Sequence, residues 1–324
     1  MPYDRSQYIT RTPLEDVAFD FMVEADGYVA DALFPAKPVD KSLKKVYQLD
    51  TSKLRFVETR KGTNAEANLV DEQLSPVNFS LEEHKLARDI NPRDVRDADI
   101  PSLVNETRAA KQVTNQLLIR KELLAVTLAT TTGNYPAGLT SALSAGSRWN
   151  DALGDPESDK VTIDAALRNV CGAGANALTM AVETFDKLKL SPSFRERIKY
   201  TSGGPVTLDA MKAFFNVDYI FLAKARYDSA NEGATASIAG MWGTNAIFHR
   251  YNPSPSLEDV GFGHCYLMNT PFWSRVDEDP KRVGPAGAMK RVTIGTEYVL
   301  MPGYTAVAGG STFGAGYLLR TVVN

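Results

Sequence analysis

Few residues in this chain are of a type and spacing that could do chemistry. Three histidines are present, His84, His249 and His264, and none stands at a metal-ligand spacing such as HExxH. His84 falls in a polar stretch of the first hundred residues, and the other two lie in strand patterns. Surface or satisfied core roles are expected for all three. Cys265 directly follows His264, which sets a thiol beside a base, but neighbours along a strand point to opposite faces and such a pair does not meet. With Cys171 it makes two cysteines, too few for a disulfide framework and in no CxxC pair, so two reduced, partly buried thiols are expected.

The remaining motifs are equally spare. No GxSxG elbow offers a serine nucleophile, and no GxxxxGK[ST] loop could cradle phosphates. Gly172-Ala173-Gly174 opens a GxGxxG pattern, but Ala177 occupies its last position and a helical pattern precedes it where a strand is required. Ser202-Gly203-Gly204 reads as a turn. The carboxylate pairs Asp71-Glu72 and Glu82-Glu83 read as solvated charge. Asn105-Glu106-Thr107 has the form of a glycosylation sequon, but it lies within a helical pattern. No catalytic residue, cofactor-binding residue or metal ligand is therefore assigned. Trp149, Trp242 and Trp273 sit among Tyr and Phe in the strand-rich half, where core and sheet packing is the expected use and subunit contact the other.

Composition fits this bland chemistry. The chain has 324 residues, a formal net charge of -3, 44% hydrophobic and 23% charged residues. These are ordinary values for a folded protein with about two domains' worth of chain. Lys and Arg are dispersed, so no basic footprint for gripping nucleic acid is present. No run of about 18 apolar residues suggests a membrane span. The opening Met1-Pro2-Tyr3-Asp4-Arg5-Ser6 lacks the apolar core of a secretory signal, so synthesis in the cytoplasm is expected.

The elements that must position these residues divide the chain unevenly. Residues 1–100 are polar and broken by proline. A short helix is expected over 15–31, with Val17, Phe21 and Tyr28 on one side, followed by an extended segment at 33–39. Short strands are expected at 46–49 and 54–57, a polar acidic loop at 62–73, and a returning strand at 79–86. Together these read as a long two-stranded arm. A lone hairpin buries too little apolar surface to offset its ordering entropy, so the leading segment needs something to lie on, and a second copy of the chain is the simplest candidate.

From Pro101 to about Thr130 the pattern is helical, with Ala110, Val113, Leu117, Leu124 and Leu128 along one stripe after Leu103. Glu106, Arg108, Lys111, Arg120, Lys121 and Glu122 read as surface charge. Helices and strands then alternate: a helix over 161–170 with Asp159 as a cap, a buried strand at 177–182, short helices at 183–190 and 194–200, a helix at 208–215 capped by Thr207, and a buried strand at 219–223. This block reads as a compact α/β unit. Strand patterns follow at 237–242, 246–251, 264–268, 291–294 and 317–323.

Several segments, in order, resemble the major capsid proteins of tailed phages. Ala32-Leu33-Phe34-Pro35 with Pro38-Val39 looks like the start of that family's N-terminal arm, and Phe79-Ser80-Leu81-Glu82-Glu83-His84-Lys85-Leu86 is similar to the returning strand of its extended loop. Asn91-Pro92-Arg93-Asp94 leads through Ala98-Asp99-Ile100-Pro101 to Leu118-Ile119-Arg120-Lys121-Glu122, which looks like the long spine helix. Trp149-Asn150 with Gly154 to Asp159, Asn176-Ala177-Leu178-Thr179-Met180, and Arg197-Ile198-Lys199-Tyr200-Thr201 followed by Val206-Thr207-Leu208 and Phe214-Phe215-Asn216-Val217 continue the series. Ala230-Asn231-Glu232-Gly233, Met241-Trp242-Gly243 and Gly261-Phe262-Gly263 complete it. The family's common Pro-Asn pair is Ala175-Asn176 here, and residues 280–316 depart from the pattern.

The resemblance implies an α+β Hong-Kong-ninety-seven-type coat (Johnson) fold. It implies an N-terminal arm at 1–45, an extended loop at 46–100, a peripheral domain with the spine helix at 101–160, an axial domain at 161–260, return strands of the peripheral domain at 261–300, and C-terminal axial strands at 301–324. It implies hexamers and pentamers tiling an icosahedral head, a place in the virion, and no enzymatic activity. The implied partners are sister copies, portal, scaffolding and decoration proteins, and packaged double-stranded DNA touched without regard to sequence, with no membrane. An encapsulin-like bacterial compartment is the alternative on the same fold; a soluble α/β enzyme is the remote one.

Overall fold

A computed structural model describes residues 12–25, 27–48, 56–60, 66, 75–93, 106–192, 194–196, 207–231, 233–252, 260–284, 287–303 and 312–324. Helix α1, Pro13–Glu24, opens on a capping box: Thr12 Oγ1 accepts from Glu15 N–H, and the Glu15 carboxylate accepts from Thr12 N–H. Its buried face is Glu15, Ala18, Phe19 and Met22, one step round from the Val17–Phe21 face expected. The helix is 12 residues long and stops at Glu24 instead of running to residue 31. Gly27 takes the left-handed φ of +97° there, and its carbonyl receives the N–H groups of Lys224 and Ala225. A four-residue helix, α2 (Ala30–Leu33), follows.

The leading segment then enters a sheet that later parts of the chain build. Strand β1, Ala36–Val39, pairs in parallel with β11, Gly263–Met268. Strand β4, Glu82–Ile90, pairs over nine positions with β13, Gly287–Pro302. The other edge of β13 is shared: β12, Trp273–Gly284, takes its first half and β11 its second. Between β1 and β4, strands β2 (Leu43–Gln48) and β3 (Ser75–Ser80) pair with each other as a separate ribbon. The returning strand of the sequence reading is thus two strands, parted at Leu81. The strand expected at 54–57 is absent at Phe56 and Val57, and its first two positions, with most of 62–73, fall outside the described residues.

This arrangement corrects the expectation that the leading segment has nothing of its own to lie on. Ala18, Phe19, Met22, Leu33, Phe34 and Ala36 are buried in one continuous core with the rest of the chain. The main support is helix α3, Glu106–Thr130, 25 residues and about 37 Å long; the expected start at Pro101 and Leu103 lie outside the described residues. Its buried stripe runs Ala109, Ala110, Val113, Thr114, Leu117, Leu118, Lys121, Glu122, Ala125 and Ala129. Leu124 and Leu128 are only partly buried, and Lys121 and Glu122, expected on the surface, face inward.

A second five-stranded sheet carries the α/β unit. Its order is β5 (Thr140–Ala142), β14 (Gly316–Arg320), β10 (Ala246–His249), β6 (Ala177–Ala181) and β7 (Tyr219–Ala223). Helices α4 (Pro156–Cys171), α5 (Val182–Leu188) and α6 (Leu208–Phe215) pack on it. Thr207 caps α6, as expected, by accepting from Ala210 N–H. Asp155, not Asp159, caps α4, by accepting from Ser158 N–H; Asp159 instead accepts the Trp149 indole N–H at 2.8 Å. Trp149, Phe215 and Phe248 form the centre of this core. Strands β8 (Arg226–Asp228) and β9 (Ile238–Gly240) make a small hairpin beside it. Phe34, Tyr135, Phe262 and Phe313 meet edge to face, tilted or stacked where the two sheets join.

Candidate functional site

The residues singled out for chemistry do not converge. His249 is wholly buried in β10, with Nε2 2.9 Å from Thr179 Oγ1 and, among the described residues, no partner for Nδ1. Burial holds its pKa down to about 3. His264 lies near Gly261 and Gly303; burial, then the Lys37 charge, lowers it to about 4. Cys265 faces the other way, toward Lys121 and Asp31, and burial pushes its thiol up to about 11. The two neighbours therefore sit in different surroundings, as strand alternation requires. His84, on β4, stacks on Tyr298 with ring centroids 4.6 Å apart, and burial lowers its pKa. Burial thus keeps His249 and His264 neutral near pH 7.

The glycine motif also resolves into structure. Gly172 takes the left-handed φ of +76° that terminates α4, and Gly174 approaches the Asp164 carboxylate. Asp164 accepts from Ala175 N–H at 3.0 Å and pairs with Lys160 at 2.5 Å. Cys171 Sγ points at the Ala173 carbonyl, and burial raises its pKa. Ser202-Gly203-Gly204 and Asp71-Glu72 lie outside the described residues, as does Asn105. Glu82 and Glu83 are exposed on β4. Among the described residues no group of three or more His, Cys, Asp or Glu could hold a metal ion, and no helix is long and apolar enough to cross a membrane.

What the chain does present is a set of surfaces and one buried joint. The β2–β3 ribbon is fixed at its root, where Phe79 and Leu81 pack with Val39 and Tyr266 and Leu81 N–H reaches the Ser42 carbonyl. At the root itself Leu43, opposite Ser80, is 71% exposed, and Lys41, Lys45 and Asn78 are exposed beside it. Large apolar groups also stand in water at Phe56, Leu153 and Val161. Charge pairs lie on the outer face of the β4–β13–β12 sheet: Asp89 receives Arg291 across strands through two bonds, and Asp277 pairs with Arg275 along β12. Trp273 lies half-buried on that face, over Gly295, where a side chain would collide with its ring. Trp149 and Trp242 are core residues.

The joint is built on one turn of α3. Lys121 and Glu122 are adjacent and both buried. Lys121 Nζ pairs with Asp31 of α2 at 2.6 Å. The Glu122 carboxylate accepts Val29 N–H at 3.1 Å, Ala30 N–H at 2.8 Å and the Trp242 indole N–H at 2.7 Å. Burial raises its proton affinity, and the three donors oppose that rise. Leading segment, long helix and α/β unit thus meet at two consecutive side chains. Sequence reasoning missed them because charged residues rarely face inward. The signal was in the spacing: Thr114, Leu118, Glu122, Ala125 and Ala129 follow helical steps of four and three.

No family model matches the chain. Two curated relatives do. A major capsid protein of Burkholderia phage BcepMu is 26% identical over 221 residues, which cover 68% of this chain and 70% of the relative. A major capsid protein of Pseudomonas phage JBD67 is 26% identical over 224 residues, 68% of this chain and 71% of the relative. Among solved structures, a phage-related protein from Bordetella bronchiseptica superposes with a TM-score of 0.72 at 22% identity, covering 97% of this chain and 98% of that one. The virus-like particle of Pyrococcus furiosus gives 0.54 at 12% identity, covering 95% and 98%. The architecture is that of the Hong-Kong-ninety-seven-type coat fold.

Proposed function

We infer that this chain, a relative of tailed-phage major capsid proteins with their fold, is itself the coat subunit of an icosahedral phage head. The observation that carries the reading is the match to two curated phage capsid proteins over two thirds of the chain, together with a coat-type fold over nearly all of it. The work is mechanical. Contacts of ordinary size, repeated by symmetry, sum to a stable shell. The β2–β3 ribbon suits this use: its root is anchored on one face, and Leu43 stands exposed there for a neighbour.

In this reading the sheet of β5, β14, β10, β6 and β7 with its helices is the axial domain, turned toward the five- and six-fold axes. The sheet around β13 with α3 is the peripheral domain, and the ribbon belongs to the extended loop. Pentamers and hexamers tile the head. Portal, scaffolding and decoration proteins are its expected partners, and the packaged double-stranded DNA is touched loosely, in keeping with a net charge of -3. Scattered, neutral, buried histidines fit a subunit without catalytic work. The coat fold by itself also suits a bacterial compartment shell; the phage relatives favour the head.

Sedimentation of the full chain produced with its neighbouring genes tests the reading. Particles should form and protect nuclease-resistant double-stranded DNA. Particles that enclose a protein cargo and no DNA would move the assignment to the compartment.

A further inference from the structure

The buried joint on α3 has a mechanical consequence beyond shell building. The Glu122 carboxylate shares its oxygens between two clients: α2 through Val29 and Ala30, and the axial sheet's neighbour Trp242. Its donors among the described residues are two backbone amides and an indole, while Lys121 pairs with Asp31. Tyr28 and Asp31 are ionisable groups coupled to it. A buried carboxylate depends on its hydrogen-bond donors for stabilisation. If the indole withdraws, the anion is left with the two backbone donors of α2 alone. The state in which it regains water then gains population. In that state the contact over Val29 and Ala30 opens.

We propose that α2 is a strap whose docking on the spine helix is controlled by the position of Trp242 through Glu122, so that the leading segment and the axial domain are released together. Gly27, where the chain turns between α1 and α2, adds a second tie in the same direction, since its carbonyl is bonded to Lys224 and Ala225 just beyond β7. Movement of the axial domain against α3 therefore reaches the leading segment by two routes, of which the carboxylate is the one a point substitution can cut.

Amide exchange on the full-length unassembled subunit tests this. Trp242→Phe keeps an aromatic ring and removes the donor. It should speed exchange at Val29 and Ala30 by about tenfold while leaving the β6 amides of Leu178 and Met180 unchanged. Glu122→Gln should do the same, and the double variant should add little to either single change, because both cut one link. Unchanged exchange at Val29 and Ala30 in Trp242→Phe would overturn the proposal. So would equal acceleration in β6, which marks a general loss of packing, or effects that simply add in the double variant. If Glu122→Gln fails to fold, the Trp242→Phe comparison alone decides.

Discussion

Phe79 lies nearly flat on Tyr266, with ring centroids 4.7 Å apart and planes 16° from parallel. The base of the projecting ribbon is thereby held to the sheet of its own subunit. Phe79→Ala should cost about 3 kcal/mol in urea unfolding, near the low end for a buried aromatic because its cluster is small. Amide protection should fall in β2 and β3 and persist in β6.

The two buried histidines predict acid sensitivity. Both have folded pKa values held below the ordinary 6.5, to about 3 for His249 and about 4 for His264. Their neutral forms favour the fold above pH 6.5. As pH falls below that, the unfolded chain takes up the proton first and stability is lost at about 1.4 kcal/mol per pH unit for each histidine. Glu122 and Asp159, whose pKa values burial raises, act in the opposite sense. The test is the difference between wild type and His249→Gln. Between pH 6.5 and pH 5 the variant should lose about 2 kcal/mol less than wild type.

Lys121 and Asp31 form a nearly buried pair. Lys121→Met leaves the Asp31 carboxylate without that cation and should cost about 3 kcal/mol or more. Adding Asp31→Leu should recover most of the loss. Denaturant midpoints of wild type, the two single variants and the double variant give the answer; no recovery in the double would show that packing of the lysine stem, not charge, is what matters.

Exposed groups on the ribbon predict a separable effect on assembly. Leu43 is 71% exposed in the subunit, so Leu43→Asp should leave unfolding within about 0.5 kcal/mol of wild type. The yield of sedimenting particles should nevertheless drop. Particles formed at the wild-type yield would remove the ribbon from the account of shell contacts.

How much of this was legible in the sequence varies by element. Helix α3, the strands β6 and β7, and the Thr207 cap follow from periodicity and capping chemistry, which are local. The burial of Trp242 and Phe215 follows from their size. The partners of the leading segment do not follow. β1 pairs with β11 some 230 positions away, and β4 with β13 some 200 away; no local pattern encodes such a register. The β12–β13 hairpin was only glimpsed at 291–294, because charged residues fill its outer face. Lys121 and Glu122 were misread because their inward partners are a helix start and an indole supplied by distant segments. Among the groups proposed for chemistry, the separation of His264 from Cys265 was readable from strand alternation alone.

The account rests on this chain forming the wall of a closed shell. Electron microscopy of particles from cells that express the chain within its own gene neighbourhood, with the wall protein identified by peptide mass, tests that most directly. The account predicts closed icosahedral shells whose dominant protein is this chain, in rings of five and six. Shells that lack it, with the chain recovered only as a free monomer, would contradict the account.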